Sequence, residues 1–391
     1  MMHQFISPKR VYYGNGSLSR LQEVVQELQV QRVFVVSDPA LKDLQVINPI
    51  IHILEGENLE VTVSTDVVPE PSLSVGNQII EQAREARAEL VVGVGGGSAL
   101  DLAKAAAVFI DNKGGVEDYL NLSSDQTFAA KGVPKVLIPT TSGTGAEVTD
   151  IAVFSMKDSK DVMTHPYLLA DYAIVDPVLT YTLPPNVTAA SGMDALTHAI
   201  EAYTSKQSTP LTDSLALEAI ERISGHIRSA VWNDRDYKAR EQMALGSMQA
   251  GMSFYNAGVA GVHALAYPLG GLYKVPHGES NAVLLPFVYD SIFPACLDKM
   301  AGIGRALGIP VEGKTNRQVA QSVVRFLLQL VEDVGLPTKL SVYDIEEKDM
   351  ERLVDNGLKQ TRLLNRSPKP LSETAIRQIY FNALRGELVH S

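Results

Sequence analysis

Four side chains in the second half of the chain have the types and spacing of a metal centre. Asp194 and His198 stand four residues apart in Gly192-Met193-Asp194-Ala195-Leu196-Thr197-His198, so a helix would put both on one face. His263, in Gly261-Val262-His263-Ala264, and His277, in Val275-Pro276-His277-Gly278, could join them from other elements. Three imidazoles and one carboxylate form a donor set that Fe(II), Zn(II) or Mn(II) accepts. An ion held this way is a Lewis acid, able to polarise a carbonyl or acidify a hydroxyl. The same side chains could equally be hydrogen-bonded core residues, and an i,i+4 pair also arises as a simple helix contact. The remaining histidines offer less: His3 and His390 lie near the termini, His52 and His226 lack companions, and His165 precedes Pro166 in a loop.

Two loops in the first half suit phosphate. Gly93-Val94-Gly95-Gly96-Gly97-Ser98 follows an apolar run and opens a helical stretch. Glycines let the backbone approach a pyrophosphate, and a helix start supplies free N–H groups with partial positive charge. Ser98 could cap that helix or bond a phosphate, and Asp101 falls early enough to suit the helix dipole. Pro139-Thr140-Thr141-Ser142-Gly143-Thr144-Gly145 leaves a second apolar run with four hydroxyls, fit for a phosphate, a ribose or a nicotinamide amide. Ligand-free tight turns would have the same composition. Asp38, at the end of another run, could accept ribose hydroxyls and repel a 2′-phosphate, which favours NAD over NADP. Lys160 could balance phosphate charge or simply be solvated.

The elements that would position these groups differ between the halves. Continuous apolar runs at 32–37, 89–94, 135–139 and 172–176 read as strands buried on both faces, with helical spacers at 75–87 and 99–110. This is βαβ grammar, and it implies a doubly wound parallel sheet. Beyond Leu183-Pro184-Pro185 the chain reads as helices at 186–205, 211–231, 237–255, 316–334 and 347–359, with 282–286 ambiguous. The expected organisation is an α/β dinucleotide-binding domain over 1–183 and a helical metal-binding domain over 184–391.

Composition narrows the function. The chain has 391 residues, 45% hydrophobic and 20% charged, an ordinary globular balance. With 34 basic and 45 acidic residues the net charge is 34 − 45 = −11, so no nucleic acid partner is expected. Cys296 is the single cysteine, which excludes an internal disulfide, zinc fingers and iron–sulfur clusters. Residues 1–13 lack a signal-peptide pattern and no apolar run is long enough to span a bilayer, so a cytoplasmic protein without a membrane partner is expected.

Taken together, Gly95-Gly96-Gly97-Ser98 with Asp101, Pro139 through Thr149, Gly192 through Glu201, His263 and Pro276-His277-Gly278 resemble the iron-containing (group III) alcohol dehydrogenases. The resemblance runs from about Phe5, through Tyr13-Gly14-Asn15-Gly16, to about Tyr380. It implies a Rossmann-like domain followed by a helical domain, a plan shared with the dehydroquinate synthases. It implies Asp194, His198, His263 and His277 as ligands of Fe2+, with Zn2+ as the other candidate ion. It implies NAD(H) contacts from Asp38, Gly96, Gly97, Ser98, Thr140, Thr141, Thr144, Lys160 and Leu179, and a substrate pocket that includes Phe254. The implied activity is reversible hydride transfer between a primary alcohol and its aldehyde, in a homodimer or larger homo-oligomer. Polyols, acidic aldehydes or an NAD-recycling reaction of the dehydroquinate synthase type are the alternatives.

Two departures from the family pattern stand out. Tyr267 occupies a position where many members carry a second histidine assigned to proton relay; a phenol is a poorer base but can still relay through water. Ser367-Pro368-Lys369 replaces an Asn-Pro-Arg pattern, with Arg362 and Arg366 nearby. Both arginines read more readily as surface residues; facing the site, they would select an anionic substrate.

Overall fold

The computed structural model describes residues 2–121, 123–156 and 160–391. The chain divides into two compact units, residues 7–182 and residues 1–6 together with 183–391. The first six residues thus belong with the helical unit.

In the unit formed by residues 7–182, eight strands are described: β1 (Arg10–Tyr13), β2 (Arg32–Ser37), β3 (Glu60–Ser64), β4 (Leu90–Gly95), β5 (Lys135–Pro139), β6 (Ile151–Ser155), β7 (Lys160–Thr164) and β8 (Tyr172–Val175). Six of them form one sheet in the order β1-β8-β5-β4-β2-β3, every pairing parallel. β4, β5 and β8 are buried along their whole length, which is why the sequence shows them as unbroken apolar runs. The edge strands β1 and β3 are largely exposed and carry no such run, while in the antiparallel hairpin β6 alternates and β7 is buried only at its three central residues; the sequence reading missed all four.

The chain goes from β2 outward to β3, then returns to place β4 on the other side of β2. The order of strand addition therefore reverses between β2 and β4, the kind of switch point at which open α/β sheets bind ligands outside their carboxyl ends. α1 (Gly97–Phe109) leaves β4 directly and is buried from Ala99 to Phe109. Asp101 falls just beyond the first turn of α1 rather than within it, and there it pairs with the buried Lys104 at 3.0 Å and accepts from Val153 N–H at 3.0 Å.

In the other unit, α2 (Pro185–Thr204) starts at the double proline, with Pro185 at a position where the missing N–H costs nothing. α3 (Pro210–Trp232) and α4 (Tyr237–Ala257) pack against it. Gly192 permits that approach, since a Cβ there would sit 2.6 Å from Met243 Cε and 2.8 Å from Ile227 Cδ1. α5 (Gly261–Tyr273) and α6 (His277–Ile292) complete the layer that carries the histidines. The ambiguous run 282–286 is part of α6, despite Pro286. It looked strand-like because α6 is buried on every side from Ser280 to Asp290 and shows no polar face.

Candidate active site

Asp194, His198, His263 and His277 converge in the helical unit. One donor atom from each lies within 4.8 Å of all the others. Asp194 and His198 project from adjacent turns of α2, His263 from the first turn of α5, and His277 is the first residue of α6. Asp194 Oδ1 faces the Nε2 atoms of His198, His263 and His277 at 3.9, 3.8 and 3.6 Å. The Nε2 atoms of His198 and His263 are 3.0 Å apart. Gly278 makes the convergence possible: a Cβ there would lie 2.3 Å from Ala190 O, so a side chain would push α6 off α2.

The electrostatics follow from this crowding. Burial alone would raise the Asp194 carboxyl, but His198, then His277 and His263, and a hydrogen bond from Asn281 bring it below its usual value. The aspartate therefore stays ionised among the imidazoles.

Two supporting residues escaped the sequence reading. Glu201 is buried on α2; its Oε2 accepts from His263 Nδ1–H at 2.6 Å and its Oε1 accepts from Val262 N–H at 2.6 Å. One carboxylate thus caps the start of α5 and fixes the His263 tautomer, leaving Nε2 with its lone pair turned toward the cluster. Asn281 Nδ2 donates to Asp194 Oδ1 at 2.7 Å and lies 3.1 and 3.2 Å from the Nε2 atoms of His263 and His277. Helical spacing could have found both. Glu201 is seven residues after Asp194, and Asn281 is four after His277, each on the stripe its partner occupies.

This donor set fits a divalent cation. Four nitrogen or carboxylate donors are gathered, three of them from buried residues and that of His277 from a partly exposed one; one imidazole is locked in the ligating tautomer, and the buried Asn281 Oδ1 has no hydrogen-bond partner among the described residues.

Around the cluster, the Phe254 ring stacks on His198 with centroids 4.3 Å apart and 18° between planes. The Tyr267 ring lies 6.1 Å from His277. Burial raises the Tyr267 phenol above its usual value, Arg362 works against that, and Asp194 and Glu201 add to it. The phenol keeps its proton at neutral pH, so it can donate a hydrogen bond but is a poor base. Arg362 is exposed, as the sequence suggested, whereas Arg366 is half-buried.

In the unit of residues 7–182, the strand ends gather a second set. The loops after β4 and β5 touch: a Cβ on Gly97 would meet Thr144 Cγ2 at 2.9 Å, and one on Gly96 would meet Thr141 at 3.6 Å. Thr140 N–H donates to Gly95 O at 3.0 Å, and Thr140 is buried. Asp38 caps the turn after β2 by accepting from Leu41 N–H at 3.1 Å, and its Oδ2 lies 3.4 Å from where a Gly95 Cβ would be. Asp38, Gly96, Gly97, Thr141 and Thr144 are therefore neighbours. Ser98 Oγ accepts from Glu70 N–H at 3.3 Å, and Glu70 Oε1 pairs with Lys160 Nζ at 2.7 Å, so Ser98 and Lys160 are joined through Glu70. Leu179 is a buried residue of the turn after β8.

Comparison with known proteins agrees with this geometry. Residues 8–177 match the family described as iron-containing alcohol dehydrogenase, and residues 188–384 match the Fe-containing alcohol dehydrogenase family, C-terminal. The chain belongs to the iron-containing alcohol dehydrogenases. It is 49% identical over 386 residues to long-chain-alcohol dehydrogenase 1 of Geobacillus thermodenitrificans, covering 99% of this chain and 98% of that protein. The crystal structure of a 1,3-propanediol oxidoreductase superposes with a TM-score of 0.94 at 32% identity, covering 98% of this chain and 100% of that one. A sulfoacetaldehyde reductase from Bifidobacterium kashiwanohense, solved in complex with NAD+, gives 0.89 at 26% identity, covering 98% and 99%. The expected fold, a parallel sheet followed by a helical part, is borne out. The chain is a metal-dependent oxidoreductase of the alcohol dehydrogenase type. No helix among the described residues is long and apolar enough to cross a membrane.

Proposed function

We propose that this enzyme interconverts a primary alcohol and its aldehyde with NAD(H), using Fe(II) held by Asp194, His198, His263 and His277; Zn(II) suits the same donors. The observation that carries the reading is the convergence of Asp194 Oδ1 with three imidazole nitrogens within 4.8 Å. When bound, the ion supplies Lewis acidity and the nicotinamide supplies or accepts the hydride.

The chain's own residues do the rest. Glu201 holds His263 Nδ1–H, so Nε2 stays unprotonated and aimed inward. Phe254, stacked on His198, gives the substrate an apolar wall and keeps water from that side. Tyr267, with its phenol protonated, serves as a hydrogen-bond donor in the relay position rather than as a general base. Gly96, Gly97 and Ser98 offer backbone N–H groups at the start of α1 to a pyrophosphate. Thr140, Thr141 and Thr144 supply hydroxyls, and Leu179 an apolar contact. Asp38 accepts from ribose hydroxyls and disfavours NADP. Lys160 acts through its pairing with Glu70 beside Ser98. The family resemblance supports a cytoplasmic homodimer, and light scattering would check the mass.

The test follows NADH absorbance after anaerobic loading with Fe(II), with short aldehydes, with and without chelator. Oxidation that chelator abolishes and fresh Fe(II) restores is the expected result. Protein that holds the ion and binds NADH, yet oxidises it with no aldehyde, would overturn the reading.

A further inference from the structure

The segment at Arg362–Arg366 carries a charge that the hydride chemistry does not use. We infer that Arg366, with Arg362 beside it, forms a subsite for an anionic group, a carboxylate or sulfonate, at the end of the substrate remote from its carbonyl. The inference rests on the reading above that the Asp194–His277 cluster is the catalytic centre.

Arg366 follows the short helix Thr361–Leu364, and its backbone is fixed at both ends of the peptide. Its N–H donates to Leu363 O at 3.0 Å, and its carbonyl accepts from Lys206 N–H at 3.0 Å. The side chain lies flat across Gly258, where a Cβ would meet Arg366 Cδ, Nε and Cζ at 2.6 Å. Gly258, at φ +81°, terminates α4 four residues after Phe254, the ring stacked on His198. The helix end that presents Phe254 to the cluster is thus the floor on which the guanidinium rests.

Tyr267 links the two places electrostatically. Its phenol responds to Arg362 and Arg366 in one sense and to Asp194 and Glu201 in the other. Among the described residues no carboxylate pairs with either arginine. The groups that act on Arg366 are its burial, the like charge of Arg362 and the Tyr267 phenol. Neither guanidinium has an ion pair or hydrogen bond among the described residues. A half-buried cation beside a like charge, with no counter-ion, costs free energy that an arriving anion recovers. The guanidinium fork matches the oxygens of a carboxylate or sulfonate, and the exposed Arg362 is free to close on the same group.

The experiment compares succinic semialdehyde with butanal, equal in chain length but differing in the terminal carboxylate, on the Fe(II)-loaded enzyme with NADH. The native enzyme prefers the charged aldehyde by kcat/KM. Arg366→Gln lowers that preference roughly ten- to a hundredfold, mainly through KM, as expected for a charge-assisted contact. Arg366→Lys keeps the charge without the fork and falls between, while Arg235→Gln, at an exposed site elsewhere, leaves the preference unchanged. Calorimetric binding of 1-propanesulfonate to the native holoenzyme, competitive with succinic semialdehyde, gives a readout that needs no variant to fold. Reduction of butanal with an unchanged preference in Arg366→Gln, or a native enzyme that favours butanal and does not bind the sulfonate, overturns the subsite alone. Reduction of neither aldehyde overturns the alcohol dehydrogenase reading with it.

Discussion

In the helical unit the site is made of side chains brought together from three helices. In the α/β unit the proposed cofactor site is made of backbone and hydroxyls where two loops meet at strand ends. The first depends on buried atoms that must be present: four donors, the Glu201 carboxylate behind His263 and the Asn281 amide beside Asp194. The second depends on an atom that must be missing, since Gly97 leaves the space in which Thr144 sits. Removing atoms should break one site and adding atoms should break the other.

The largest effect belongs to a direct donor. His263→Ala should lose bound metal and cut turnover by roughly a thousandfold or more, since all Lewis-acid stabilisation goes with the ion. Metal content and NADH oxidation, measured together, check it; a variant with full metal and rate would break the assignment of His263. Glu201→Gln should be milder, weakening metal affinity roughly ten- to a hundredfold while the fold persists, because the amide can present the wrong group to His263. Titration against a competing chelator reads that change directly.

On the other side of the comparison, Gly97→Ala places a methyl 2.9 Å from Thr144 Cγ2 and should raise the KM for NADH about tenfold, with metal content unchanged. Equal losses of metal and cofactor binding in that variant would erase the distinction between the two sites. The smallest effect is on stability. Glu147, buried just beyond the hydroxyl loop, has its carboxyl pushed up to about 7 by burial, with its own backbone N–H and Lys104 opposing. Its protonated form is the one the fold favours. Its contribution is full below the ordinary value of 4.5 and is lost as the pH rises through about 7. Glu147→Gln should flatten that slope, stabilising the protein above neutral pH by at most roughly 3 kcal/mol. Thermal unfolding at pH 5 and pH 8 measures it, and identical slopes in both proteins would contradict it.

The comparison also explains what could be read from the sequence. Asp194 and His198 were legible because both lie on α2 at helical spacing, and β4 with its glycines was legible because full burial makes a continuous apolar run. Glu201 was legible only as a position on the Asp194 stripe of α2, not as the partner of His263, which is 62 positions away and is joined to it by folding alone. β1 and β3 were invisible because edge strands need no apolar face, and α5 was hidden by Gly261, Gly270, Gly271 and Pro268, which break a helical pattern that burial sustains. Arg366 read as a surface residue because nothing in its neighbourhood of sequence reveals Gly258, the floor it lies on.

The central claim is that the Asp194, His198, His263 and His277 cluster holds the ion on which turnover depends. Anaerobic titration of metal-free enzyme with Fe(II), reading bound ion and aldehyde-dependent NADH oxidation in the same samples, tests it most directly. One ion per chain, a rate that rises in proportion to occupancy, and loss of both in Asp194→Asn are the expected results. A rate independent of occupancy, or unchanged binding in Asp194→Asn, would contradict it.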